Sequence, residues 1–457
     1  MVDWSKASPS GRGGRDPQLV VFSAVRAVDP AVELDETVDI VVEDGRITRV
    51  GPGAATADMK SSERAVVIEG GGRWALPAFV DIHVHLREPG HEYKEDIKSG
   101  LNAAAAGGFA HVCCMPNTTP VNDRRSITEA MVSRAREVGG PALHPIGAIT
   151  RGLKGHELTE MADLKEAGAV GVSDDGRCVT DSAIMRSALE YAKTFDLPVI
   201  QHAEDHALTA GSQMHEGAVS TRLGLRGWPR VAEDIIVARD ILLAEAIGAR
   251  YHVAHISTEG AVRLVREAKQ RGLKVTAEVT PHHLLLTDEA VAMGQNGLGY
   301  NTFCKVNPPL REQRDIDACV AGLADGTIDA IATDHAPHSS LEKECEFQAA
   351  SPGLIGLELV VPTLLQLVRD GRLSLNRFVA ALTSAPSGVV GIEAPTLRVG
   401  AKADIVLIDP ERTHAVEGEQ LRSKCHNSPF VGQTFTGSVE LTTLRGQPVY
   451  VREGAFS

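Results

Sequence analysis

The chain has 457 residues, which is too long for one small core and predicts a large domain together with a smaller one. Its net charge of −14, with acidic and basic residues mixed along the chain, argues against nucleic acid or an anionic membrane as a partner. No apolar run approaches the roughly 20 residues that span a bilayer. A small anionic substrate remains compatible with this composition, because a local basic residue can hold it.

The composition of the N-terminal segment and the use of cysteine both bear on the cellular location of the protein. Residues 1–18 are rich in Ser, Gly, Arg and Pro and lack the apolar core of a signal peptide, so we predict a disordered tail. The seven cysteines are odd in number, scattered, and never spaced as Cys-x-x-Cys. That usage is typical of reduced thiols rather than of a disulfide framework, and it predicts a cytoplasmic protein.

Two β-rich flanks enclose the rest of the sequence. Residues 19–74 alternate apolar and polar side chains, with turn signals such as Glu43-Asp44-Gly45, and residues 394–457 do the same. Neither flank alone is long enough to bury a core. We therefore expect both termini to build one small β-sandwich together.

The region 75–393 alternates short apolar runs with stretches of helical spacing. The helical stretches include Ser126–Val138, Ser182–Phe195, Ala232–Ala246 and Thr258–Gln270. The apolar runs, read as strands, are 75–85, 110–116, 142–150, 168–175, 198–205, 249–257, 274–282 and 328–338. Eight such repeats predict a (β/α)8 TIM-like barrel with parallel strands. A doubly wound open sheet is the alternative, but polar groups at so many strand ends fit a closed ring better.

The first apolar run ends in Asp81-Ile82-His83-Val84-His85. Side chains on a strand repeat every second residue, so His83 and His85 point to the same face as two imidazoles able to grip one metal ion. A lone His-x-His pair is more often two polar residues on a half-exposed strand. Here later strands also end in metal-compatible residues, which favours a metal site.

The other metal-compatible side chains are His202, His255, Asp334 and one of the adjacent pair Asp174 and Asp175. Asp174 and Asp175 point to opposite faces of a strand, so only one of them meets the metal. Six imidazole and carboxylate ligands exceed one tetrahedral site and suit two ions, zinc above all, bridged by a carboxylate and a hydroxide. Asp334 would then accept the proton of the nucleophile and pass it to a leaving nitrogen. His111, His252, His282 and His283 are interpreted as structural or supporting residues.

At this point the sequence resembles the dihydroorotases of the class I bacterial type, in the amidohydrolase superfamily. The motifs that carry the resemblance run in the family's order: Val80-Asp81-Ile82-His83-Val84-His85-Leu86-Arg87-Glu88-Pro89-Gly90, Glu92-Tyr93-Lys94-Glu95-Asp96, Met115-Pro116-Asn117-Thr118, Ser173-Asp174-Asp175-Gly176, Asn307-Pro308-Pro309-Leu310-Arg311 and Thr333-Asp334-His335-Ala336-Pro337-His338. The resemblance implies reversible closure of N-carbamoyl-L-aspartate to L-dihydroorotate in pyrimidine biosynthesis.

The same resemblance implies roles for individual residues. The metal ligands become His83, His85, Asp175, His202, His255 and Asp334. Asp175 is implied as the bridge between two Zn²⁺ ions, and Asp334 as the general acid and base that works with a metal-bound hydroxide. The implied substrate contacts are His85, Arg87, Asn117 and His338 for the carboxylate, and Asn307 with the backbone of Pro352 and Gly353 for the ring. Family analogy also implies a homo-oligomer and aspartate carbamoyltransferase as a candidate partner.

Two alternatives compete with this interpretation. One is a catalytically silent, dihydroorotase-like scaffold of aspartate carbamoyltransferase, which would lack metal ligands; this sequence keeps all six. The other is a different cyclic amidohydrolase, such as an allantoinase or a dihydropyrimidinase. Those enzymes resemble one another in bridging their metals with a carboxylated lysine at the end of strand 4, where this chain has Ser173-Asp174-Asp175. Arg87, a cation suited to a free carboxylate, also argues against a neutral substrate.

Overall fold

The computed structural model describes residues 19–294 and 299–456, so the predicted tail, residues 1–18, lies outside the described residues. The strands in chain order are β1 Leu19–Asp29, β2 Leu34–Glu43, β3 Arg46–Gly51, β4 Ala65–Glu69, β5 Trp74–Pro77, β6 Phe79–Val84, β7 Phe109–Cys114, β8 Ala142–Gly147, β9 Gly171–Ser173, β10 Val199–Gln201, β11 Met214–His215, β12 Gly227–Trp228, β13 Tyr251–Val253, β14 Val275–Val279, β15 Ala330–Ile331, β16 Ile405–Ala415, β17 Thr434–Leu444 and β18 Gln447–Val451.

The α-helices in chain order are α1 Ala57–Ser61, α2 Ile97–Ala106, α3 Arg125–Val138, α4 Met161–Ala167, α5 Ser182–Thr194, α6 His206–Thr209, α7 Ala218–Leu223, α8 Val231–Ile247, α9 Glu259–Gln270, α10 Pro281–Leu285, α11 Glu289–Ala292, α12 Gln313–Asp325, α13 Ser340–Lys343, α14 Val360–Arg369, α15 Leu375–Leu382 and α16 Ser384–Val390. The four helices predicted from spacing, α3, α5, α8 and α9, agree with these bounds to within one residue at each end.

Local sequence explains where these helices begin. The Asp181 carboxylate accepts hydrogen bonds from the first backbone N–H groups of α5, and the Thr258 hydroxyl does the same for α9. Both are side chains that favour the N-cap position because they satisfy backbone donors left without a helical partner. In α9 the buried residues Ala261, Val262, Val265 and Ala268 fall on one face, as the helical period predicts.

A ring of parallel strands forms the larger part of the described molecule. Its order is β6-β7-β8-β9-β10-β13-β14-β15, so neighbours in the ring are neighbours in the sequence apart from the small ribbon β11-β12. A parallel bridge between Val84 and His335 joins the first strand to the segment after the last, and the His85 N–H donates to the His335 carbonyl at 2.9 Å. The closed (β/α)8 barrel is confirmed, and the open sheet is not what the chain forms.

One strand prediction is wrong in part. The run 75–85 was interpreted as a single strand, but it contains the end of β5 and all of β6. β5 pairs antiparallel with β16 and parallel with β1, whereas the Phe79 N–H already donates to the Gly108 carbonyl at the start of the barrel. The run is apolar throughout because both sheets bury it, so hydrophobicity alone does not show where the chain changes sheet.

Strands from both ends of the chain share the second sheet. Its order is β18-β17-β16-β5-β1-β2-β3, with β4 branching from β1. It encloses a separate apolar cluster that draws on both flanks, including Phe22, Ile40, Ile405 and Leu407. No helix in the described part of the chain is long and apolar enough to cross a membrane.

Candidate metal centre and active site

The six predicted metal ligands converge at the carboxyl ends of the barrel strands. This is the end at which barrels of this kind carry their reactive groups. Two sets of side chains each bring three potential ligand atoms within 4.8 Å of one another, and they share one carboxylate: His83, His85 and Asp175 form the first set, and Asp175, His202 and His255 the second.

Asp175 lies between the two sets. Its Oδ1 is 3.3 Å from His83 Nε2, 3.6 Å from His255 Nε2 and 3.8 Å from His202 Nδ1. Its Oδ2 is 3.5 Å from His85 Nε2. Asp175 thus contacts imidazoles of both sets, so its carboxylate is shared between them.

Asp334 completes the cluster from the end of the last barrel strand. Its Oδ1 lies 3.1 Å from His85 Nε2 and 3.6 Å from His83 Nε2. Burial alone would raise its pKa, but the neighbouring imidazoles of His85 and His83 outweigh this and hold the pKa of Asp334 below its ordinary value. The carboxylate form is therefore the one that the cluster stabilises.

The neighbouring Asp174 faces away from the cluster. Its Oδ1 accepts from the Thr150 backbone N–H at 2.9 Å, and its second oxygen accepts from the Thr150 hydroxyl. Burial raises the pKa of Asp174 to about 6, whereas contact with His83 and His255 holds the pKa of Asp175 well below its usual range despite burial. The geometry favours Asp175 as the residue of this pair that contacts the centre.

Three of the imidazoles are oriented by acceptors on their outer sides. His83 Nδ1 lies 2.6 Å from Glu278 Oε1, and His202 Nε2 lies 2.9 Å from Glu204 Oε2. His85 Nδ1 contacts the Asn117 side-chain oxygen at 2.8 Å, so each outer nitrogen carries the proton. When the inner nitrogen loses its proton, its lone pair faces the cluster, as in imidazoles that bind metals.

Two buried polar atoms point to what the cluster would hold. Within the described residues, His83 Nε2 and Asp175 Oδ1 are buried and have no hydrogen-bond partner. Such groups are costly to bury unless another partner is supplied. A divalent cation would satisfy a lone pair and a carboxylate oxygen together, so the residues present fit a metal centre.

Glu278 and Glu204 were missed by the sequence analysis. Glu278 is fully buried on β14 and also contacts His252 Nε2 at 3.1 Å, which agrees with the supporting role expected for His252. Burial raises its pKa, but the two imidazoles outweigh this and bring the pKa of Glu278 to about 2. A charged residue inside an otherwise apolar strand, and a Glu two residues after His202, were the available signals.

The predicted substrate residues Arg87, Asn117 and His338 lie beside this centre. Arg87 is half-buried, its backbone φ is 61°, its Nε donates to the Pro337 carbonyl at 3.2 Å, and its Nη2 is 3.3 Å from His338 Nε2. The Asn117 amide nitrogen lies 3.4 Å from Asp175 Oδ2. Asn117 therefore contacts the proposed metal ligands Asp175 and His85 directly.

Two of the residues predicted to contact the substrate ring, Asn307 and Gly353, already form hydrogen bonds within the protein. Asn307 donates to Glu204 Oε2 at 3.3 Å. The Gly353 N–H donates to the Lys305 carbonyl, and its own carbonyl accepts from Lys343 Nζ. Pro352 has no N–H, so a backbone N–H contact to a substrate ring from this pair is not what the structure offers. A contact through the Pro352 carbonyl stays a prediction.

One wall of this site comes from the C-terminal flank. Asn427, in the connection between β16 and β17, accepts from the His338 backbone N–H at 3.1 Å. Its amide nitrogen donates to the carbonyls of Ala336 and Gly353, both at 3.1 Å. The terminal unit thus fixes two segments that border the predicted substrate pocket.

Residues 72–261 match the family model described as Dihydro-orotase-like. A dihydroorotase from Syntrophobacter fumaroxidans is 48% identical over 443 residues, covering 96% of this chain and 99% of that protein. A dihydroorotase from Geobacter sp. is 50% identical over 425 residues, covering 93% and 97%. The chain belongs to the dihydroorotase family. It is therefore a cyclic amidohydrolase, as relatives at this identity and coverage show.

Solved structures agree with this placement in the dihydroorotase family at the level of fold. The L-hydantoinase (dihydropyrimidinase) from Arthrobacter aurescens superimposes with a TM-score of 0.83 at 26% identity, covering 94% of this chain and 96% of that one. A D-hydantoinase (dihydropyrimidinase) from Thermus sp. gives 0.80 at 24% identity, with 96% of each chain covered.

Proposed function

We propose that this protein is a dihydroorotase that interconverts N-carbamoyl-L-aspartate and L-dihydroorotate in pyrimidine biosynthesis. The observation that carries the proposal is the Arg87 guanidinium, with His338 beside it, at the edge of the convergent His and Asp cluster. Dihydroorotate is a cyclic amide with a free carboxylate, so it needs both a hydrolytic centre and a fixed cation. The relatives named dihydroorotase support the same conclusion.

The proposed ligands of two zinc ions are His83, His85, Asp175, His202, His255 and Asp334, with Asp175 between the ions. When bound, such ions lower the pKa of a water toward about 7 and polarise a carbonyl oxygen. The protein's own contribution is orientation. Glu278, Glu204 and Asn117 hold three imidazoles with their lone pairs inward, so no rotation is needed when a cation enters.

Asp334 is proposed as the general acid and base. In ring opening, its carboxylate takes the proton of the attacking water as the new C–O bond forms, then gives that proton to the ring nitrogen as the C–N bond breaks. Ring closure runs the same steps in reverse and begins with Asp334 protonated. We therefore expect hydrolysis to speed up and synthesis to slow down as pH rises; parallel pH profiles in the two directions would contradict this role.

Arg87, Asn117 and His338 are proposed to bind the substrate carboxylate. A guanidinium gives two parallel charge-assisted hydrogen bonds to a carboxylate, which fixes orientation as well as affinity. This contact would place the amide carbon of the ring over the metal cluster.

The two alternatives find less support. A silent scaffold would not need six ligands to converge, nor acceptors that orient three of the four imidazoles. An enzyme for a neutral ring would not need an arginine at the edge of the cluster. A homo-oligomer and an aspartate carbamoyltransferase partner stay predictions. For the domains, we propose a barrel unit and a terminal β-unit divided near Ala78, a few residues later than the boundary at residue 75.

A direct assay tests the function. Purified full-length protein is given dihydroorotate, allantoin and dihydrouracil in parallel, and the same preparation is analysed for metals. We expect turnover of dihydroorotate alone and about two zinc equivalents per chain. Turnover of allantoin or dihydrouracil instead would replace the substrate. No activity and no metal, even after zinc is added, would favour the scaffold.

A further inference from the structure

His338 lies between two cationic side chains. Lys94 Nζ is 3.5 Å from His338 Nδ1, and Arg87 Nη2 is 3.3 Å from His338 Nε2. Lys94 is held in place by Glu342, whose Oε1 is 2.5 Å from Nζ. The Lys94 side chain is 12% exposed and that of His338 is 9% exposed, so neither is freely hydrated.

The two ring nitrogens of His338 face two hydrogen-bond donors and cannot accept from both. A neutral imidazole has one N–H and one lone pair, so it can accept from only one of two donors. The doubly protonated ring is strongly disfavoured, because burial and the cations Arg87 and Lys94 bring the pKa of His338 down to about 2. One ring N–H therefore points at a positively charged N–H donor. This contact is unfavourable unless an anion accepts hydrogen bonds from both groups.

The surroundings indicate which nitrogen keeps the lone pair. Glu342 Oε2 is 3.9 Å from His338 Nδ1, beyond hydrogen-bond distance, and also accepts from the Ser339 hydroxyl at 2.8 Å. Lys343 adds a further cation, but its Nζ donates to the carbonyls of Lys305, Ser351 and Gly353. Lys94 is thus the group that can donate to Nδ1, and the Arg87 side is where an anion would fit.

We propose that Lys94 is a positioning residue that holds His338 as its Nε2–H tautomer, so that His338 and Arg87 donate together to one substrate carboxylate. The proposal rests on the proposed function for the identity of that anion, a monocarboxylate on a cyclic amide. Lys94 itself does not touch the substrate in this arrangement. Its donor group occupies Nδ1, and the imidazole proton is then committed to the side that faces Arg87.

Removing the Lys94 donor frees Nδ1 to take the proton. The Nε2 lone pair would then face the carboxylate, replacing an attraction by a repulsion. We expect Lys94→Met to raise KM for dihydroorotate at least tenfold and to change kcat by less than threefold, because the metal cluster is untouched. Lys94→Arg retains a cationic donor and should bring KM most of the way back.

The experiment uses the full-length enzyme and the matched control Lys98→Met, an exposed lysine on α2. Steady-state kinetics and metal content are measured for wild type, both Lys94 variants and the control. Nitrogen-15 NMR of histidine-labelled protein gives the tautomer, with His338→Gln assigning the signal. The expected result is an Nε2–H imidazole in wild type and an Nδ1–H imidazole in Lys94→Met.

Two results would overturn the proposal: an unchanged KM in Lys94→Met, or an Nδ1–H imidazole in wild type. A fall in kcat with KM constant would likewise assign Lys94 to another role. If the wild-type enzyme does not turn over dihydroorotate, the proposed function is wrong. The tautomer of His338 in the wild-type protein then decides the role of Lys94 by itself. Because that measurement needs no Lys94 variant, the proposal stays testable even if Lys94→Met does not fold.

Discussion

Two groups of histidines lie on the same barrel and differ in the side chains that contact their imidazole rings. At the mouth, His83 and His202 each have a carboxylate on the outer nitrogen and Asp175 on the inner side. On β7 and β8, His111 Nδ1 contacts His144 Nε2 at 2.9 Å, with the rings stacked. Burial lowers the pKa of both His111 and His144 to about 4, so this second pair is neutral. The difference teaches that carboxylates, not histidine pairing, distinguish a metal centre from a packed pair.

The largest effect should follow from removing the shared carboxylate. Asp175→Ala takes away the oxygens that face both imidazole groups, so we expect loss of bound metal and a fall in kcat/KM of at least about three orders of magnitude. Elemental analysis beside the dihydroorotate assay measures both. Asp174→Ala is the matched control, since its side chain contacts Thr150, and it should keep its metal. If the control lost metal and Asp175→Ala did not, the assignment within the pair would be reversed.

Replacing Arg87 tests the proposed substrate-binding side of the active site. Leaving a buried charge without its partner typically costs about 3–5 kcal/mol, so Arg87→Met should lower dihydroorotate turnover by roughly two to four orders of magnitude. Metal content should not change, because Arg87 contacts His338 and Pro337 rather than the metal cluster. Arg87→Lys should recover only part of the activity, because a point charge lacks the planar fork. Near-normal turnover by Arg87→Met would remove the carboxylate-binding role.

Glu278 tests whether the outer carboxylate matters. Glu278→Gln keeps the shape but removes the charge behind His83, and such changes typically weaken metal binding by about 10–100-fold. Competition with a zinc chelator gives the affinity directly. His252→Gln, which alters the other neighbour of Glu278, should weaken metal binding less. Equal zinc affinity in wild type and Glu278→Gln would mean that the inner ligands alone set the affinity.

The second histidine pair should affect stability and not chemistry. Because its folded-state pKa values near 4 lie below the ordinary 6.5, the unfolded chain binds more protons in this window. The free energy of unfolding should therefore fall as pH drops from about 6.5 toward 4. Replacing both residues by Gln should flatten that part of the curve, measured by urea unfolding, and leave metal content unchanged. A change in zinc affinity would undo the contrast between the two groups.

The barrel was predictable because its strands are short and mostly apolar and because four of the intervening helices, α3, α5, α8 and α9, have a clear helical period. The ligands were predictable because side-chain alternation places His83 and His85 on one face and because strand ends of a barrel meet. Where the chain passes from β5 to β6 was not predictable, since both sheets bury that run. Glu278 and Asn427 were missed for a different reason, which is that the residues they support lie far away in the sequence. Glu278 contacts His83, 195 residues away, and the partners of Asn427 are 74 to 91 residues away.

Asn427 also has a consequence for how the enzyme is made. All six proposed ligands have been synthesised once the ribosome reaches Asp334, and β15, the last barrel strand, ends just before it. The residue that ties His338 to Gly353, Asn427, follows β16 and is therefore added later. A protein truncated before β16 would therefore retain all six proposed ligands and lack Asn427, so the substrate side of the site depends on a part of the chain that supplies no proposed metal ligand.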